Sequence, residues 1–88
     1  MPGNRITRSA AIVPIVRGDA TVLLDVGGGY RITLDAFGSR VWALLDDAPT
    51  LPVLIERLRD DGARPEQLAE DVMRLLARWR ERGVIAWQ

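Results

Sequence analysis

The first half of the chain carries the short apolar runs that are typical of β-strands. Ala11–Val16 is rich in β-branched residues and ends at an Arg-Gly-Asp turn, and Thr21–Val26 follows as a second strand. Tyr30–Leu34 alternates apolar and polar side chains, which is the period-two pattern of a half-buried strand. The pattern therefore predicts a three-stranded antiparallel meander.

After Leu34 the apolar positions change to helical spacing. Asp35 is placed to cap a first helix, and Thr50 is placed to cap a second helix that ends at residues 60–63. Pro65 opens a third and longest helix, with Gly83 just beyond it as a C-cap. The apolar stripes of the first and third helices are Phe37, Val41, Trp42, Leu44 and Leu45, and Leu68, Val72, Leu75, Leu76 and Trp79.

Three strands followed by three helices predict an α+β domain with its helices on one face of the sheet. Residues 1–9 have little periodic signal and are expected to be a flexible lead-in, so the single domain is predicted to span residues 10–88. The short apolar segment Val84–Trp87 is expected to pack back on the core. Trp42 and Trp79 lie on apolar stripes and are predicted to be core residues.

Composition narrows the possible functions. The 88 residues include no His and no Cys, which excludes catalysis and metal ligation by those side chains. A formal net charge of +0 argues against a general phosphate-binding surface. No cofactor or metal is expected, and the chain is predicted to act by binding, not as an enzyme. With no apolar stretch of membrane-spanning length and no signal peptide, the cytoplasm is the expected location.

The triple glycine at positions 27–29 has two possible interpretations. A phosphate-binding loop would lead from a strand into a helix, whereas this segment leads from one strand to the next. Residues without a Cβ adopt positive φ freely, so a hairpin turn is the better interpretation.

The two outer strands of the predicted meander differ in how their edges are protected. Pro14 cannot donate a ladder hydrogen bond and belongs on an edge, but Tyr30–Leu34 contains neither Pro nor Lys, and its one charge is Arg31. An open edge favours addition of an extended peptide, bonded to the backbone of residues 30–34. The alternative is that the third helix or the C-terminal tail covers this edge.

A set of spaced residues resembles the PqqD-like family from about Ala11 onward. It comprises Leu24-Asp25-Val26, Gly29-Tyr30, Leu34-Asp35, Gly38, Val41-Trp42, Leu45, Thr50-Leu51, Leu58, Asp71-Val72, Leu76 and Gly83-Val84-Ile85. The triple glycine, Asp35 where Asn is usual and Trp79 where Leu is usual depart from the family pattern.

The resemblance implies a RiPP recognition element, a winged-helix-like domain that binds the leader segment of ribosomally made precursor peptides. In that family the leader adds as a strand to the third strand and lies in the groove beside the third helix. The chain is most similar to the stand-alone recognition proteins of lasso peptide clusters, which present the precursor to a separate cysteine peptidase. Lasso leaders commonly carry a Tyr-x-x-Pro element, so an aromatic-accepting pocket is expected.

The implied groove gives a candidate peptide-binding set: Tyr30, Arg31, Ile32, Thr33, Leu34, Asp71, Arg74, Leu75 and Arg78. Asp71, Arg74 and Arg78 share one face of the third helix, with Leu75 beside them. The opposite edge, with Ala69, Met73 and Arg80, is the alternative wall.

A winged-helix DNA-binding regulator is the alternative function, since related topologies read DNA. The late arginines of the third helix support it, but nearby carboxylates and the net charge of +0 oppose it.

Overall fold

The computed structural model describes residues 5–47, 49–59 and 65–87, and of Tyr30 and Pro65 it describes the backbone. The elements are β1 (Ile6–Arg8), β2 (Ile12–Arg17), β3 (Ala20–Asp25), β4 (Tyr30–Leu34), α1 (Ala36–Leu44), a 3₁₀ turn (Leu45–Asp47), α2 (Leu51–Leu58), α3 (Pro65–Glu81) and β5 (Ile85–Trp87). The predicted order of a three-stranded sheet followed by three helices is confirmed. The predicted end of the second helix at residues 60–63 lies outside the described residues.

The larger sheet has the antiparallel order β2-β3-β4, so the predicted meander is confirmed. At the turn between β3 and β4, the Asp25 carboxylate accepts a hydrogen bond from the Gly28 N–H at 2.9 Å. Gly29 has φ +73° and donates its N–H to the Asp25 carbonyl at 2.9 Å. The triple glycine is therefore a hairpin turn, because a residue with a Cβ is strained at that positive φ.

The helices cover one face of this sheet and enclose the core. Leu23 and Leu34 contribute from the sheet, and Trp42 and Trp79 contribute from α1 and α3 with exposed fractions of 4% and 1%. The two indole rings meet edge to face with centroids 5.6 Å apart, which is a favourable geometry for aromatic pairs. Both tryptophans are core residues, as predicted.

The end of α3 directs the chain back into the core. Gly83 has φ +76° and donates its N–H to the Arg80 carbonyl at 3.1 Å, while the Val84 N–H reaches the Trp79 carbonyl at 3.0 Å. This pair of bonds is a Schellman motif with glycine at its left-handed position. Val84 and Ile85 are buried, so the predicted packing of the tail on the core is confirmed.

Residues 5–8 differ from the expectation that the sequence pattern gave. Ile6–Arg8 forms β1, which pairs antiparallel with β5, and the Ile6 side chain is 0% exposed. The Arg8 guanidinium lies 2.5 Å from the Asp46 carboxylate and 5.5 Å from the centroid of the Trp42 ring. Residues 5–8 are thus part of the folded domain and not of a flexible lead-in. The sequence did not predict this strand, because three residues with one fully buried side chain are too few to show an alternating apolar pattern.

Among the described residues, no helix combines the length and the apolarity that crossing a membrane requires.

We predict that Ile6→Ala lowers the free energy of unfolding by about 2–4 kcal/mol, because it leaves a cavity in a fully packed site. Thr7→Ala, at an exposed position of the same strand, is the control and should change stability by less than about 0.5 kcal/mol. Urea denaturation measures both. Equal stability of the two variants would show that β1 does not contribute to the core.

The two helix N-caps provide a second matched pair. The Asp35 carboxylate accepts a bond from the Gly38 N–H at 2.8 Å, whereas the Thr50 side chain makes no capping bond. Asp35→Ala should therefore destabilise the domain by about 1 kcal/mol and Thr50→Ala by clearly less. Thermal unfolding compares the two, and a larger loss in Thr50→Ala would contradict this account of the caps.

Candidate functional site

The outer edge of β4 is open. β4 pairs with β3, and within the described residues no strand pairs with its other edge. The C-terminal tail pairs with β1 as strand β5 and so does not cover β4. The possibility that the tail covers this edge is therefore wrong for the described residues.

Backbone hydrogen bonds alternate in direction along each strand, and this alternation decides which N–H and C=O groups of β4 face the open edge. The Val26 N–H donates to the Ala11 carbonyl at 3.1 Å, so even-numbered residues of β3 bond toward β2 and odd-numbered ones toward β4. In the register that pairs Leu23 with Ile32, the even-numbered residues of β4 then bond to β3. The N–H and C=O groups of Arg31 and Thr33 point to the open edge. Of residues 30–34, only Arg31 and Thr33 therefore have backbone groups placed to bond an added peptide.

The same alternation of hydrogen bonds explains why Pro14 is tolerated in β2. It lies opposite Leu23 at a position of β2 whose missing N–H faces the outer edge of the sheet. The predicted edge role of this proline is confirmed.

A groove of about 280 Å³ lies between β4 and α3. Its wall and floor consist of Ile32, Thr33, Leu34, Asp35, Gly38, Leu75, Arg78, Trp79 and Arg82. Leu34 and Trp79 are buried and Ile32 and Leu75 are half-buried, which gives the groove an apolar floor. The open edge of β4 therefore runs beside a concave apolar surface with cationic side chains on its rim.

Gly38 lets α1 begin close to the end of β4. A Cβ added there would lie 3.3 Å from the Cβ of Leu34 and 3.3 Å from Oδ1 of Asp35, closer than most such contacts. Asp35 is at the same time the N-cap of α1 and a lining residue of the groove. The junction of β4 and α1 thus forms one end of the floor.

A second cavity of about 180 Å³ continues the groove past the end of β4. It is lined by Asp35, Phe37, Asp71, Arg74, Leu75 and Arg78. The Arg74 guanidinium lies 3.4 Å from the Asp71 carboxylate, which also accepts from the Gln67 amide at 3.2 Å. The sequence pattern placed Phe37 on the apolar stripe of α1, but its side chain is 36% exposed. The cavity therefore combines an aromatic and aliphatic floor with a charged rim.

The structure brings most of the predicted site residues together. Ile32, Thr33, Leu34, Leu75 and Arg78 line the larger cavity, and Asp71 and Arg74 join Leu75 and Arg78 around the smaller one. The side chain of Tyr30 lies outside what the structure describes.

Arg31 lines neither cavity of the groove, whereas Thr33 borders both the larger cavity and the outer face of the sheet. The Arg31 side chain lies on the opposite face of the sheet, beside Val22 and Leu24, because side chains alternate between faces along a strand. Its backbone faces the open edge, but its guanidinium does not face the groove.

The alternative wall of α3 has a different environment. The Arg80 guanidinium stacks 5.6 Å from the ring centroid of Trp87, and Met73 is 47% exposed. The groove described above is lined by the Asp71–Arg78 edge of α3.

Several lining residues were not predicted from the sequence: Asp35, Phe37, Gly38, Trp79 and Arg82. Arg82 follows Arg78 by four residues, and helical spacing therefore predicts that the two lie on the same face. For Asp35 and Gly38 no spacing gave such a prediction, because their approach to α3 depends on how the two helices pack.

The outer face of the sheet, away from the helices, is also apolar. Val13 and Ile15 are 45% and 39% exposed, and Val22 and Leu24 lie beside them at half-buried positions. A shallow depression of about 440 Å³ lies over part of this face. Arg17 and Arg31 occupy its margins. We refer to Val13, Ile15, Val22 and Leu24 as the outer apolar face.

Within the described part of the chain, no group of three or more acidic side chains is arranged to hold a metal ion.

Comparison with known proteins gives two matches. The family described as coenzyme PQQ synthesis protein D (PqqD) matches residues 20–85. A solved structure described as TbiB1 in complex with the TbiA(beta) leader peptide superposes with a TM-score of 0.84 at 24% sequence identity, covering 90% of this chain and 93% of that chain. No curated protein is similar enough to count as a match.

Proposed function

The chain belongs to the PqqD family, and we propose from this that it is a RiPP recognition element that binds the leader segment of a ribosomally made precursor peptide. The observation that carries the proposal is the open edge of β4 beside a groove with an apolar floor. A protein with a similar fold is described in complex with a leader peptide, which supports the same role here. The pathway we propose is lasso peptide biosynthesis.

The leader binds as an added strand. Arg31 and Thr33 offer two N–H and two C=O groups, and each net hydrogen bond contributes about 0.5–1.5 kcal/mol. Four bonds therefore give about 2–6 kcal/mol, less than the ~8 kcal/mol of a micromolar complex. Leader side chains in the groove must supply the rest.

Strand alternation divides the leader side chains between two faces. Those opposite Ile32 and Leu34 point into the groove, where they bury apolar surface against Leu75 and Trp79. Those beside Arg31 and Thr33 point to the outer face of the sheet. The groove thus contacts the side chain of every second leader residue.

The smaller cavity is our candidate for the aromatic-accepting pocket. Phe37 and Leu75 provide an apolar floor for a ring, and the Asp71–Arg74 pair lies at the rim within reach of a phenol hydroxyl. A leader tyrosine fits this combination, because its ring is apolar and its tip is polar.

The domain presents the bound leader to a separate cysteine peptidase and is itself non-catalytic. The sequence contains no His and no Cys from which a peptidase site of that type could be built. The outer apolar face is our candidate surface for the peptidase. It is exposed and contiguous, and it adjoins the side of the leader strand that faces away from the groove.

The DNA-binding alternative has less support. In α3, Arg74 is paired with Asp71, and Arg80 is stacked on Trp87. Of the three arginines of α3, this leaves Arg78 as the one without a described ion pair or ring contact, and one such cation is a weak basis for phosphate contacts. Genes for a short precursor peptide, a peptidase and an ATP-dependent cyclase beside the gene for this chain would favour the leader-binding function.

A proline at position 33 tests strand addition. Thr33→Pro removes one outward N–H without breaking the ladder to β3, so leader binding should weaken by about 1–2 kcal/mol, roughly five- to thirtyfold. The control is Val16→Pro, the same change at an outward position of the opposite edge. Calorimetry with the leader of the precursor encoded beside this chain measures both. Unchanged affinity in a folded Thr33→Pro variant would exclude the edge model.

A charge on the outer apolar face tests peptidase docking. The isolated domain should leave the precursor intact, and added peptidase should remove the leader. Ile15→Glu should slow that removal by about tenfold or more, since docking would bury an unpaired carboxylate. Val53→Glu, at a similarly exposed apolar position on α2, is the control. Normal processing with Ile15→Glu would assign the docking surface elsewhere, and cleavage by the domain alone would refute the non-catalytic function.

A further inference from the structure

Arg78 occupies the point where the two cavities of the groove meet. It lines both of them, as do Asp35 and Leu75. Its side chain is exposed, and within the described residues that side chain has neither an ion pair nor a hydrogen bond. A guanidinium is a cation with five N–H donors, so this position presents a positive charge without a described counter-ion to whatever fills the groove.

The carboxylates of the groove do not neutralise this charge. Asp71 is paired with Arg74 at 3.4 Å and accepts a further bond from Gln67 at 3.2 Å. The Asp35 carboxylate accepts the Gly38 N–H at 2.8 Å as the N-cap of α1, where the positive end of the helix dipole offsets its charge. The lining of the two cavities includes three arginines, Arg74, Arg78 and Arg82, against two aspartates, Asp35 and Asp71, so its formal charge is positive.

From this we infer that Arg78 selects a leader with an acidic residue at one position, and that this ion pair sets the register of the added strand. The inference rests on the proposed function and names the chemistry of its ligand. A guanidinium offers two parallel N–H donors that match a carboxylate, and backbone hydrogen bonds alone do not distinguish registers that differ by two residues.

The geometry limits where the acidic residue lies. The larger cavity borders Ile32–Leu34, the smaller one borders Asp35 and Phe37, and Arg78 borders both. Because the smaller cavity is the candidate site for a leader tyrosine, the acidic side chain belongs at the inward-facing leader position opposite Leu34. The leader residue two positions away, opposite Ile32, meets the apolar floor and should be uncharged.

Bound leader also makes the pair stronger than an ordinary surface ion pair. An exposed pair contributes little, because water and salt screen both charges. A strand laid along β4 covers the groove and removes water from the guanidinium, so the interaction resembles a charged hydrogen bond at a partly buried site. We expect loss of the carboxylate to weaken binding about ten- to hundredfold.

Selection from random peptides tests the inference, because such a library assumes no particular leader sequence. Wild type and the variants Arg78→Glu and Arg31→Glu are each used to select binders from a displayed library of random linear peptides. Arg31 is the matched control because it also lacks a described partner but lies on the outer face of the sheet. Thermal unfolding verifies that each variant is folded, and Arg78→Gln replaces Arg78→Glu if reversal of the charge prevents folding.

The expected result is a fixed Asp or Glu in wild-type binders. Arg78→Glu should enrich Lys or Arg at the same position, or Arg78→Gln should lose the preference, whereas Arg31→Glu should keep the carboxylate. Replacing that carboxylate by its amide should weaken wild-type binding about ten- to hundredfold and leave binding to Arg78→Gln nearly unchanged.

Two other results would overturn the inference, and they have different meanings. If peptides are enriched but show no charge preference that depends on Arg78, acid selection by Arg78 is wrong while strand addition still stands. If wild type enriches no peptide at all, the proposed leader-binding function fails together with the inference.

Discussion

The hairpin between β3 and β4 determines what the rest of the molecule can offer a ligand. The Asp25 carboxylate and the positive φ of Gly29 close the turn in one register. That register directs the backbone of Arg31 and Thr33 to the open edge and turns Ile32 and Leu34 toward the helices. A slip of one residue would reverse both assignments, because neighbouring residues of a strand face opposite sides.

The position of α3 gives the open edge its groove. Trp79 is anchored in the core by its edge-to-face contact with Trp42, and Gly83 ends the helix in a Schellman motif that buries Val84. These contacts hold the buried face of α3 against the core, while its Asp71–Arg78 edge stands beside β4 and leaves space between them. The groove is thus a consequence of core packing.

The first and last strands, β1 and β5, pair with each other and leave the edge of β4 uncovered. The C-terminal strand β5 pairs with β1 instead of adding to β4, and the Arg8–Asp46 ion pair secures the N-terminal side of this small sheet. On the opposite edge of the larger sheet, Pro14 prevents pairing at an outward position. Within the described residues, the edge formed by β4 is therefore left available, next to the groove that can bind side chains.

Local patterns in the sequence determined the meander, the three helices, the Asp35 cap, the glycine turn and the buried tryptophans, because each depends on residues within a few positions of one another. The open edge was also visible, since Pro14 protects one strand and nothing comparable protects Tyr30–Leu34. Tertiary structure alone decided that Ile6 is a core residue, that Asp35 and Gly38 lie beside Arg78, and that β5 pairs with β1. These contacts join segments far apart in the chain, and the packing of the whole core, which no local pattern contains, brings them together.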